Sequence, residues 1–258
     1  MDSRRFFLGV SAIVFAASAA MTIVTCASMS AMGVMEMPGG WTMSHMWMRM
    51  PGQTWFGATA SFVGMWVVMM VAMMLPSLTP TLLCYHESVR TTGEPRLGWL
   101  TAVVGVGYFG VWALLGAIVF PVGVALAEVA MREPGLSRIV PISVGAAVLI
   151  AGVLQHTPWK ARHLAFCRDE VDRLTPPADV DSALSYGMRL GLHCSQSCAG
   201  LTAVALVLGV MDLRVMAAVA VAITTERLAP AGTRVAQAIG VVIVGTGVLL
   251  CAAAIGTG

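Results

Sequence analysis

Charge is scarce in this chain: Asp, Glu, Lys and Arg make up 11% of 258 residues, and Lys160 is the lone lysine. It falls between apolar stretches, which excludes a seven-helix retinal protein, since that class needs a lysine in its last span for the Schiff base. Acidic residues are missing from the middle of the apolar stretches. Asp212 lies in a hairpin break and Glu226 at a helix end, which argues against an ion-driven secondary transporter. A Gly-rich phosphate loop ending in Lys-Ser/Thr is absent, and so is a polar region able to house a nucleotide-hydrolysing domain; this excludes nucleotide-driven pumping. H-E-x-x-H and G-x-S-x-G are absent as well, so no hydrolase is indicated. The expectation is a protein that is not an enzyme and has no nucleic-acid partner.

What the chain has instead is apolar residues, 58% of the total, with a mean hydropathy of +0.84. The expected class is an all-α, polytopic membrane helical bundle of six to seven transmembrane helices, in contact with the lipid bilayer. Apolar stretches fall at about 6–25, 55–75, 99–120, 139–155, 187–208, 213–229 and 235–256, against a requirement of roughly 20 helical residues per span. The fourth and sixth are the shortest. One transmembrane domain is expected over 1–258: a first helix or signal anchor at 1–28, an outer Met-rich loop at 29–53, and a six-helix core at 54–258 with an inner loop at 156–185.

With the amino terminus inside, the inner segments carry 11 arginines and lysines and the outer ones four. That bias sets the expected orientation in a bacterial cytoplasmic (inner) membrane. The stretch "SRRFFLG" from Ser3 resembles a twin-arginine export signal, but the six further spans make an uncleaved first helix the simpler expectation.

Soft ligands are concentrated in three places. The segment from Met29 to Met50 holds eight methionines and His45; Met43, His45, Met46 and Met48 are its candidate capture ligands for a soft ion. In the second span Met65, Met69 and Met73 recur every four residues and so share a helix face, with Met70 and Met74 in an adjacent row. Pro76 is expected to break that ladder. In the fifth span, "GLHCSQSCAG" puts Cys194 and Cys198 one turn apart, about 6 Å, beside His193. A row of methionines also serves as core filler, and thiols pack as small hydrophobes, so packing and ligation both remain open.

Depth counting places Cys194 about 10 Å and Met69 about 10 Å from the inner face, which would form one sulfur-lined site if the two helices are neighbours. Thiolate, thioether and imidazole donors select soft ions, copper(I) above all; zinc through Cys and His is the alternative. A third group, His156, His163 and Cys167 with Cys84 and His86, lies at the predicted inner side. It reads either as an inner metal site or as an interfacial helix with snorkelling Lys160, Arg162 and Arg168.

The blocks "MMVAMMLPS" from Met69, "QHTPWKARHLAFCR" from Gln155 and "GLHCSQSCAGLTAVALVLGVMDLRVMAAVAVAITTERLAP" from Gly191 resemble a bacterial family of predicted metal-binding integral membrane proteins. The resemblance runs from about Trp55 to Pro230. It implies Met69, Met70, Met73, Met74, His193, Cys194 and Cys198 as the ligand candidates. The expected function is capture and holding or transfer of copper(I), with a membrane complex or metallochaperone as partner. A membrane thiol-disulfide oxidoreductase and a scaffold or assembly factor are the alternatives; against the former, the pair is not the C-x-x-C that tunes thiol redox chemistry.

Overall fold

The computed structural model describes residues 3–31, 33, 35–37, 40–48, 52–91, 97–169 and 179–256. In chain order these form α1 (Ser3–Ala31), a hairpin of β1 (Met35–Met37) and β2 (Trp41–Met43), a 3-10 turn (His45–Trp47), α2 (Trp55–Thr91), α3 (Leu97–Arg132), α4 (Pro134–Ser137), α5 (Val140–Leu154), α6 (Pro158–Asp169), α7 (Val180–Gly209), α8 (Leu213–Leu228) and α9 (Gly232–Gly256). The chain is all-α apart from the hairpin.

All seven apolar stretches are helical. Five of them, α1, α2, α3, α7 and α9, are long and apolar enough to cross a membrane. The two shortest behave differently: α5 has 15 residues and α8 has 16, fewer than the ~20 a span requires. α5 passes only together with α6, and the two are bent by 63°, giving six candidate spans where seven apolar stretches were read.

α1 and α2 run antiparallel, while α3 and α7 run parallel, and the bundle has two ends. At the α6 end, Arg4 of α1 meets Glu87 of α2 at 3.8 Å and Phe7 stacks on His86. At the hairpin end, Trp41 Nε1 donates to the Ser137 carbonyl at 3.0 Å and Trp47 packs on Phe62.

Two local expectations are corrected. α2 does not stop at Pro76; it runs 37 residues with Pro76 and Pro80 inside. Each proline removes one ladder hydrogen bond, and the buried neighbours Leu75, Ser77, Leu78 and Leu82 hold this part of the helix against the bundle. Lys160 of α6 does not snorkel to the surface. Lys160 and Cys167 are 3% exposed and Leu164 is fully buried, because a partner for the ammonium waits inside: Lys160 Nζ meets Glu226 Oε2 at 2.6 Å.

Small residues set the packing of α3 against α7. A Cβ on Gly187 would lie 2.2 Å from the Val104 carbonyl oxygen, and one on Gly191 would lie 2.8 Å from the Tyr108 carbonyl oxygen. The two backbones therefore touch, in the manner of small-residue helix interfaces. This contact delivers Tyr108 to α7.

Candidate metal centre

The centre is built on one buried turn of α7. Cys194 and Cys198 are 0% and 1% exposed, and their sulfurs lie 3.8 Å apart with no disulfide among the six cysteines. At a metal–sulfur length of about 2.3 Å, this separation corresponds to an angle of about 110° at a shared ion, leaving a further coordination position open. Cys167 of α6, also buried, supplies a third thiol in the same buried cluster. Among the described residues no group of three His, Cys, Asp or Glu is spaced as a ready metal site. The arrangement is an open thiol pair with a third thiol adjoining.

Three residues that the sequence did not nominate surround the pair. Tyr108 Oη donates to Cys194 Sγ at 2.9 Å. Arg227 Nη1 donates to the same sulfur at 3.3 Å and to Ser77 Oγ at 3.1 Å, while Arg227 Nη2 is buried without a hydrogen-bond partner. Among the described residues no carboxylate pairs with Arg227, since its neighbour Glu226 is taken by Lys160 and by Gln155 Nε2 at 2.9 Å. A buried guanidinium without a counter-charge is costly, and the Cys194 sulfur is the group placed to carry one. Glu226 and Arg227 at the end of an apolar helix were the available signal, because charge inside such helices marks sites. Lys160 also donates to the Ser197 carbonyl at 2.6 Å, within the cysteine turn itself.

The methionines of α2 are deeply buried: Met69 3%, Met70 2%, Met73 4% and Met74 0% exposed. They stand offset from the thiol pair, toward the hairpin end. Ser77 reaches Cys194 through Arg227, whereas Met69, Met70 and Met73 share a cavity with Thr202, Ala205 and Leu206, one to two turns beyond Cys198. Depth counting put Met69 level with Cys194 because it ended α2 near Pro76. Continuation of α2 to Thr91 moves its methionines deeper.

His193 turns away from the thiols. Its Nδ1 lies 3.0 Å from His163 Nδ1, and its ring stacks on Phe166 at 3.6 Å. The third candidate group is divided by the fold. His163 joins His193, Cys167 joins Cys194, and His156 is exposed near Gly240; His86, at the end of α2 with Cys84, contacts Thr101 at 3.3 Å.

The described methionines of the Met-rich segment are packed against the bundle. The segment's hairpin pairs Met35 with Met43 and Met37 with Trp41; Met37, Met43 and Met46 are 7%, 4% and 7% exposed. Met37 and Met43 lie on Ala127 and Ala130 of α3. Met35 and Met48 are half-buried, and the His45 side chain lies outside the described residues.

Thiols and thioethers are the ligand types that suit soft metals. A family model described as copper chaperone (PpoB2) matches residues 63–250, and the chain belongs to that family. Neither the curated proteins nor the solved structures include a match.

Proposed function

We propose that this protein is a bacterial inner-membrane copper(I) carrier, amino terminus inside, which captures the ion at its Met-rich hairpin end and holds or hands it on at Cys194 and Cys198. Copper is its cargo, and a metallochaperone or membrane complex at the α6 end is the receiver. The observation that carries this reading is the pairing of two buried thiols with Arg227, a buried cation that has no carboxylate partner among the described residues.

Charge balance favours a monovalent ion. Cysteine binds metal as the thiolate, so two thiolates with one copper(I) carry a net charge of −1, which Arg227 neutralises. Lys160 and Glu226 neutralise each other. A divalent ion on the same two thiolates would be neutral and would leave the guanidinium uncompensated in a dry site. Zinc also demands four ligands, while copper(I) is satisfied by two or three.

Thioether sulfurs of the Met-rich segment and of α2 bind copper(I) without losing a proton, and each does so weakly enough to let it go. Anaerobic copper(I) titration of the purified protein, with total metal by mass spectrometry, tests the reading. Wild type is expected to hold copper tightly, and Cys194→Ser/Cys198→Ser to hold one tight copper ion fewer. The same number of tight ions in the variant, or no copper in the wild type, would turn the sulfurs into packing material and leave the scaffold reading.

A further inference from the structure

A second group of sulfurs lies at the hairpin end, drawn from α1, the α7–α8 turn and α8. Cys26, near the end of α1, is 3% exposed. Its Sγ lies 3.9 Å from Met211 Sδ and 4.0 Å from Met216 Sδ, one in the α7–α8 turn and the other in the first turn of α8. Beside them opens a cavity of about 190 Å³ lined by Met21, Cys26, Met65, Met69 and Met211 among others. None of Cys26, Met65, Met211 and Met216 belongs to the centre described above, and Cys26 lies outside the family match.

We propose that Cys26, Met211 and Met216 form a separate soft-ion intake site, which takes up copper(I) and feeds it along the α2 methionines to Cys194 and Cys198. The transfer half rests on the copper reading above; the site itself does not require it.

The separations suit the ion. At metal–sulfur lengths of about 2.3 Å, the 3.9 and 4.0 Å separations of Cys26 from the two thioethers subtend angles of about 116° and 121° at a shared ion, within the range a two- or three-sulfur ion site takes. That spacing is also ordinary contact between sulfurs, so an ion enters with little repacking. Binding replaces the Cys26 S–H bond with an S–Cu bond and releases the proton to water. One thiolate and two thioethers around a monovalent ion are electrically neutral, so this site needs no counter-charge such as Arg227.

The route onward follows two cavities that share a wall. Met69 lines the 190 Å³ cavity and also a second, much smaller one of about 10 Å³, whose wall includes Met70, Met73, Met216 and Thr202. Met216 thus joins the intake site to the second cavity. Thr202 is one turn of α7 from Cys198. A space of about 10 Å³ holds at most a single water-sized occupant, so the ion passes stripped of its hydration shell, on thioether sulfur.

Anaerobic titration with silver(I), a soft monovalent ion without redox chemistry, tests the site in the purified full-length protein. Wild type is expected to hold two tight ions, and one is expected in Cys194→Ser/Cys198→Ser and in Cys26→Ser/Met211→Leu/Met216→Leu alike. X-ray absorption of the copper(I)-loaded Cys194→Ser/Cys198→Ser protein should then show three sulfurs. A single ion in the wild type, lost from Cys194→Ser/Cys198→Ser, would overturn the intake site and leave the carrier reading standing. No tight ion in any of them would sink both. These readouts need no folded Cys26 variant.

For the relay, Met69→Leu/Met70→Leu/Met73→Leu is expected to slow the rise of thiolate–copper ultraviolet absorption in stopped flow about tenfold, at unchanged final stoichiometry. An unchanged rate would overturn it.

Discussion

The two sulfur groups of this protein are built on opposite electrostatic plans. Around Cys194 lie Arg227, Tyr108 and, one turn on, the Lys160–Glu226 pair; around Cys26 the nearest partners are thioethers. A thiol pair on a monovalent ion is an anion and must have a cation beside it to be stable in a dry bundle. A lone thiol among thioethers makes a neutral complex and needs none. The first plan suits retention, because withdrawing the ion strands a guanidinium. The second suits passage.

The sharpest way to break the contrast is to strip the charged end of its compensation. Glu226→Ala leaves Lys160 buried and unpaired, for an expected loss of about 3–5 kcal/mol in denaturant unfolding. Glu226→Leu/Lys160→Met should recover most of it. Arg227→Met is expected to weaken copper(I) at the thiol pair on the order of 100-fold, from the Coulomb energy of a near pair at an intermediate effective dielectric. Zinc affinity should fall less, narrowing the preference; equal losses for the two metals would refute the charge argument. Gly187→Ala pushes α3 from α7 and is expected to cost about 1–3 kcal/mol as overpacking, while loosening Tyr108 from Cys194.

Smaller still, Tyr108→Phe removes one hydrogen bond, about 1 kcal/mol, which reads as roughly fivefold in copper affinity at the thiol pair and nothing at the Cys26 group. The weakest effect belongs outside both sites. The Ser182 side chain, and with it the Ser182 N–H at 3.0 Å from the Asp179 carboxylate that caps α7, hold that group below its ordinary pKa. Since the folded value is the depressed one, the cap stabilises above the unfolded pKa of about 4 and fades as the pH falls through the folded value. A thermal scan at pH 5 and pH 3 should show an acid loss that Asp179→Asn lacks, with copper affinity alike in both proteins.

Periodicity and run length were enough to foresee every long helix, since they record local burial, and also the i, i+4 relation of Cys194 and Cys198. Side-chain direction across the bundle was not in reach. His193 and Cys194 are adjacent in the chain, yet one faces His163 and the other Arg227. Lys160 reads as a surface residue until Glu226, 66 positions away, is seen beside it. Cys26 and Met216 are 190 positions apart, and no local pattern links them. Pro76 misled because its local penalty was outweighed by tertiary packing.

The bond from Lys160 to the Ser197 carbonyl has a mechanical consequence. α6 is a rod of about 18 Å pinned at one end to the turn that bears both cysteines, with Arg168 at its other end gripping the carbonyls of Glu226, Ala229 and Pro230. Any change of pitch in the cysteine turn moves the near end of that rod. The far end is held at the α8–α9 corner, so a displacement of the cysteine turn would be carried along α6 to the surface at that end of the bundle.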